Sequence, residues 1–206
     1  MKNSGFTLLE VMIASALLTI ISLLGFVALQ SSARAVNVNQ AVALVEADAR
    51  NVLRAIMREV EFAVKPAAVG ATLPPDVQGL QVHDNNRAVT FQTPTNAAFT
   101  TFSAPITFRF ETEDTPLAVP GFEFGNAVLD PGEDVNNDGV LNRRVLRIQG
   151  GETQVLGSAN TIADARFELL EGNTVLRITI VATTRIEPLQ QRLTRHELQG
   201  DVYLMN

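Results

Sequence analysis

The chain has no cysteine among its 206 residues, so it holds no disulfide and no thiol chemistry; that absence is neutral about compartment. Basic clusters are missing too. Sixteen Lys and Arg stand against 22 Asp and Glu, a formal net charge of −6 with pI near 4.9. Without a basic footprint, nucleic acid is not expected as a partner. The two histidines, His83 and His196, have no zinc-ligand spacing, and there is no nucleophile elbow or Gly-rich phosphate loop. No catalytic residue is therefore expected, and the chain is read as a non-enzyme. Proline is absent from Phe6 to Leu29, and charge is absent from Val11 to Leu29.

That uncharged run organises the chain. At about 1.5 Å per residue, a helix from Phe6 to Leu29 spans roughly 36 Å, enough for a hydrocarbon core of about 30 Å. A five-residue leader, Met1-Lys2-Asn3-Ser4-Gly5, precedes it with Lys2 as its one charged side chain. The positive-inside rule keeps that end cytoplasmic and sends the remainder across. Glu10 is the anomaly. A carboxylate at mid-membrane costs about 2.5–3.5 kcal/mol, less near an interface, and is a functional candidate by default. Phe6 and Glu10 lie four apart, on one helix face.

Gly5-Phe6-Thr7-Leu8-Leu9-Glu10-Val11-Met12-Ile13-Ala14 resembles the N-terminus of type IV prepilins and type II secretion pseudopilins. The resemblance covers about 25 residues closely, and its Gly-Phe-Thr-Leu-x-Glu core is specific. It implies cleavage between Gly5 and Phe6 by an inner-membrane prepilin peptidase, N-methylation of Phe6, and assembly with sister pilins or pseudopilins on an inner-membrane platform. Glu10 then has a physical task. Cleavage gives Phe6 a positive amine that enters an apolar filament core, and Glu10 of a neighbouring subunit can pair with it. Either charge left alone there would be costly, so the pair selects one axial register. Two other readings are weighed beside this one: a signal anchor that keeps Met1, and a secretory signal cut after Ala33-Arg34-Ala35 to leave Val36 first.

Beyond the span, Val38, Val42, Val45, Ala49, Val52, Ile56 and Val60 recur at intervals of three and four, the stripe of an amphipathic helix. One helix is expected from Phe6 to about Ala63, near 87 Å long, closed by Pro66 and Gly70. The Pro66–Asp76 stretch reads as a turn-rich connector. Period-two patterning follows, with expected strands at Leu80–His83, Ala88–Gln92, Ile106–Glu111, Arg144–Gln149, Thr153–Leu156, Ala163–Leu170, Val175–Thr184 and a short Asp201–Leu204. Gly150-Gly151 and Glu171–Thr174 read as hairpin turns. Arg177, Thr179, Val181 and Thr183 alternate with Leu176, Ile178, Ile180 and Ala182, which suits one antiparallel sheet laid on the helix with a wet far side. The expected fold is α+β and pilin-like. Its divisions are leader 1–5, membrane and filament-core helix 6–29, amphipathic continuation 30–65, and β-rich domain 66–206.

Asp134, Asn136 and Asp138 alternate ahead of Gly139, the first half of a calcium loop of the EF-hand or dockerin kind. Val140 would add a backbone carbonyl and Asn142 a ligand or water bridge, with Leu141 as a core anchor. The closing acid is missing, because its position is Val145; Asp130 or Glu133 are the candidates to replace it. A structural Ca²⁺ is the cofactor this pattern expects, and an ordinary Asn/Asp/Gly turn is the alternative. Phe91, Phe99, Phe102, Phe108 and Phe110 are expected mainly in the core, with an adhesive surface as the other reading.

The helix segment Ala49–Val60 is similar to minor-pilin W and pseudopilin J proteins. So is the ending Val202-Tyr203-Leu204-Met205-Asn206, where Met205 replaces their usual Arg. The missing disulfide, and Gly25-Phe26-Val27 where many major pilins carry a proline, also lean towards a minor pilin or pseudopilin. The expected function is a structural subunit of an inner-membrane-rooted filament, with the C-terminal domain periplasmic or extracellular. A membrane-tethered adhesin or binding module is the alternative. The sequence leaves the machine open between pilus, type II secretion and DNA uptake.

Overall fold

In the computed structural model, the described residues are 7–65, 77, 79–116, 125–158, 160–185 and 193–204. The leader with Gly5 and Phe6, the connector 66–76 and the last two residues lie outside them. The chain divides into two compact units, Met1–Ala41 and Val42–Asn206.

Helix α1 runs over Leu8–Val60. In the first unit, Thr7 to Asn37 are all exposed although most are apolar. In the second, the helix buries Val45, Ala49, Val52, Ile56 and Val60, the expected stripe, together with Leu53. Val38 and Val42, earlier on that stripe, are only half-buried.

Eight strands follow: β1 Gln81–His83, β2 Ala88–Phe91, β3 Ile106–Thr112, β4 Arg143–Gln149, β5 Glu152–Leu156, β6 Ile162–Leu170, β7 Val175–Arg185 and β8 Leu193–Tyr203. Every expected strand forms, and all named pairings are antiparallel. Gly150 and Gly151, both at positive φ (59° and 87°), make the tight two-residue turn between β4 and β5. Three features differ from expectation. The strands form two sheets, ordered β1-β2-β3-β4-β5 and β6-β7-β8, because β5 does not pair with β6. Strand β8 is 11 residues long, where Asp201–Leu204 was expected. Its first half, Leu193-Thr194-Arg195-His196-Glu197, has no apolar alternation and is a strand because β7 pairs along all of it. Finally, β7 is wet on its far side only in part. Arg177 and Thr179 reach solvent, whereas Val181 and Thr183 are buried, and Arg143 donates to Thr183 Oγ1 at 2.8 Å.

One hydrophobic core joins both sheets to the helix stripe. Phe91 and Phe108 from the first sheet, Phe167, Ile178 and Ile180 from the second, and Val52 and Ile56 from α1 are all fully buried or nearly so. Phe91 and Phe108 pack with ring centroids 5.9 Å apart. Polar contacts fix the helix within this unit. Asp48 accepts hydrogen bonds from Ser158 N and Thr161 Oγ1. Glu59 accepts both its bonds from Arg147 Nε of β4, at 2.8 and 2.9 Å.

Gly157 lets the loop after β5 approach the helix closely. Its φ is +78°, and a Cβ there would stand 2.7 Å from Val52 Cγ2. Valine has little rotamer freedom on a helix, so it cannot yield cheaply. Gly157→Ala is therefore expected to destabilise the unit by about 1–3 kcal/mol, from overpacking together with left-handed strain. Urea unfolding of the variant beside the wild type measures it.

Candidate functional site

The start of α1 is built by Thr7 and Glu10. Thr7 N and Thr7 Oγ1 both donate to Glu10 Oε2, at 2.8 and 2.9 Å, and Glu10 N donates back to Thr7 Oγ1 at 3.3 Å. This is a reciprocal capping box, with Thr7 as N-cap and Glu10 three residues on. It satisfies helix-end donors that would otherwise be orphaned in an apolar setting. The Thr-x-x-Glu spacing of this cap is a local signal present in the sequence itself. Further along, Ser15 Oγ donates to Met12 O and Thr19 Oγ1 to Ser15 O, so these hydroxyls are satisfied inside their own helix.

The second candidate is the loop before β4. Asp134 accepts from Asp138 N and Gly139 N (3.0 and 2.9 Å), and Asn136 Oδ1 accepts from Asp138 N (2.9 Å). Asp138 accepts from Val140 N at 2.8 Å and from Asn136 Nδ2 at 2.9 Å. Asn142 Nδ2 points at three oxygens at once: Glu113 Oε2 (2.9 Å), Val140 O (3.1 Å) and Asp138 Oδ2 (3.3 Å). The five residues read from the sequence, Asp134, Asn136, Asp138, Val140 and Asn142, are thus brought together around oxygen atoms. The bond from Val140 N, followed by that from Asn142, holds the Asp138 carboxyl below its ordinary value, so it is charged at neutral pH.

Neither suggested replacement for the closing acid is turned to this loop. Glu133 accepts from Thr115 N, Thr115 Oγ1 and Asp130 N, and closes a neighbouring turn. Asp130 accepts from Asn126. Val145 is fully buried in the core. The acid that does reach the loop is Glu113, just past β3, which also accepts from Asn142 N. Sequence spacing had no means of finding it, since 29 residues separate the two. Among the described residues, no three acidic or histidine side chains converge in metal-holding geometry. The loop holds two acids, the Asn136 amide oxygen and the Val140 carbonyl, and each of these groups accepts a hydrogen bond from within the loop.

Residues 1–26 match the family model described as the prokaryotic N-terminal methylation motif. The chain has a prepilin-type N-terminus. No curated protein and no solved structure matches it. The matched segment ends inside α1, so the likeness rests on the N-terminal helix, and the β-rich unit is characterised by its own structure. Gly5 and Phe6 fall within the match but outside the described residues.

The prepilin-type helix has one membrane-length apolar window, and none of that window is buried. In the β-rich unit, Phe91, Phe108 and Phe110 are core residues; Phe99 is exposed and Phe102 half-buried, at the bridge Pro94↔Phe102 between β2 and β3. His83 on β1 meets Thr90 Oγ1 at 2.8 Å, and His196 belongs to β8 of the other sheet, so the histidines are held apart.

Proposed function

We propose that this chain is a minor pilin or pseudopilin, a structural subunit of an inner-membrane-rooted filament of the type IV pilus or type II secretion kind. The carrying observation is the methylation-motif N-terminus at the head of a helix exposed all round from Thr7 to Asn37. A mostly apolar, uncovered helix is unstable in water and must be sheathed by lipid or by equivalent helices. Membrane anchoring before assembly and packing with sister subunits afterwards meet that requirement in turn. In this reading prepilin peptidase cuts between Gly5 and Phe6, Phe6 is N-methylated, and the β-rich unit lies on the periplasmic or extracellular side. N-terminal sequencing and intact mass of the chain from membranes test it. N-methylated Phe6 as first residue is the expected result. Met1 in first place would mean a plain anchor, and Val36 a secreted product; either refutes the proposal.

The loop 134–142 is proposed as a structural calcium site, with Asp134, Asn136, Asp138, the Val140 carbonyl and Asn142 as ligands. What supports this is the convergence of oxygens on the Asn142 amide, where a donor nitrogen sits at a focus that a cation would suit. Ligation stabilises the folded chain by about 2.7 kcal/mol when calcium is 100-fold above Kd. The detergent-solubilised protein is therefore expected to melt at lower temperature in chelator, and Asp134→Ala or Asp138→Ala to erase that difference. A melting curve indifferent to chelator, with no calcium in the purified protein, would leave the loop an ordinary turn.

A further inference from the structure

On the side of α1 opposite its buried stripe, Arg54 and Arg58 lie four residues, about 6 Å, apart along the helix. Both are exposed, and among the described residues neither has a hydrogen bond or an ion pair. The helix acids nearest in sequence are engaged elsewhere, Glu46 by Arg50 and Glu59 by Arg147. Past the helix end, Glu61 is balanced by Lys65. Like charges at this spacing repel, so the two arginines cost the isolated chain stability.

The second sheet lays its inner face on the same helix: a Cβ at Gly200 of β8 would stand 2.6 Å from Met57 Sδ. Side chains alternate along a strand, so Asp201 and Tyr203 point to the far side. Arg177, between buried Leu176 and Ile178, and Glu168, beside buried Phe167, point the same way. Glu168, Arg177 and Asp201 form one row across the three strands. Arg177 spends Nε and NH2 on Asp201, at 2.9 Å each. The carboxylates of Glu168 and of Glu171, in the β6–β7 turn, have no hydrogen bond or ion pair among the described residues. The next arginine on β6, Arg166, is held by Asp164. Three acids thus share one arginine at this end of the far face, and Tyr203 stands there 70% exposed.

We propose that the far face of one copy receives the outer helix face of a second copy of this chain, Arg54 and Arg58 pairing with Glu168 and Glu171 beside Tyr203. Each face carries the charge that the other lacks. An exposed aromatic ring among carboxylates suits a guanidinium, which stacks on the ring while it pairs. A dimer closed through either patch alone would set like charges against each other. Because the patches lie on opposite sides of one unit, the contact is head-to-tail and leaves one patch of each kind free for a further copy. The proposal rests on the β-rich unit and the helix segment packed on it, and holds whether or not the N-terminus is processed.

Sedimentation of the full chain in detergent, at low and at high salt, tests it. Two double variants are compared with the wild type: Arg54→Glu with Arg58→Glu, and Glu168→Arg with Glu171→Arg. All four positions are exposed and unpaired, so the fold is not at risk. Neither pair touches the membrane-length segment, so association driven by that segment is the same in every sample. Each double variant alone is expected to self-associate roughly three- to tenfold more weakly than the wild type at low salt, a difference that high salt removes. Mixed one to one, the two variants should return to wild-type association, because each then supplies the face that the other has lost. A double variant that associates like the wild type, or a mixture no stronger than its components, would overturn the proposal.

Discussion

Glu10→Gln is expected to abolish incorporation of this chain into filaments while leaving the start of its helix intact. The capping role of Glu10 and its proposed pairing with a neighbouring subunit can be separated, because glutamine retains the first. In the capping box a Gln side chain still accepts from Thr7 N, as Glu10 Oε2 does now at 2.8 Å. It cannot neutralise the amine that cleavage would create on Phe6 of a neighbouring subunit. An ammonium left unpaired in an apolar filament costs about 3–5 kcal/mol, more than a hundredfold in assembly. Glu10→Val removes both roles and should fail as completely, whereas Thr7→Ala, which loses the side-chain cap and keeps the charge, should assemble with a smaller defect of about 1 kcal/mol. Immunoblotting of sheared filaments against the membrane fraction reads all three. If Glu10→Gln assembles normally while Thr7→Ala does not, the carboxylate serves the cap and the inter-subunit pair is wrong.

Arg143→Met is expected to destabilise the β-rich unit by about 3–5 kcal/mol, a large share of the roughly 5–15 kcal/mol that holds such domains folded. Arg143 is 1% exposed. Its NH1 lies 3.3 Å from Asp114 Oδ2, and its NH2 donates to Thr183 on β7. Asp114, equally buried, also accepts from Asn126 N and Ala127 N, tying down the start of the segment that leads to the loop. Methionine fills the volume but strands the carboxylate, and that stranded charge dominates the cost. Arg143→Met combined with Asp114→Asn should therefore recover part of the loss. Burial pushes the Asp114 carboxyl above its ordinary value of 3.8, against the pull of Arg143 and of the backbone N–H groups. A raised value means that the folded state holds the proton more tightly. Its contribution to stability is full below the ordinary value and is lost as pH rises through the raised one. At neutral pH Asp114 is thus a liability that Arg143 offsets. The deficit of Arg143→Met should shrink in acid, as urea unfolding on either side of the carboxylate range would show. An equal deficit at both would mean that Arg143 acts by packing alone.

The sequence by itself determined the membrane-length helix, its methylation motif, the stripe from Val45 to Val60, the position of the first seven strands and the end of the eighth. Each is encoded by neighbours along the chain: an uncharged run, a three-four spacing, a period of two. The oxygen-rich loop was legible for the same reason, because Asp134, Asn136 and Asp138 are spaced within one turn. Tertiary structure decided what depends on residues far apart. The split into two sheets follows from β5 failing to pair with β6. The polar first half of β8 is a strand only because β7 supplies its partners. Glu113 comes to Asn142, and Arg143 to Asp114 and Thr183, across separations of 29 to 40 residues. Local pattern carries information about which face of an element is apolar. It carries none about which distant charge that face will meet, because that is set by how the elements pack.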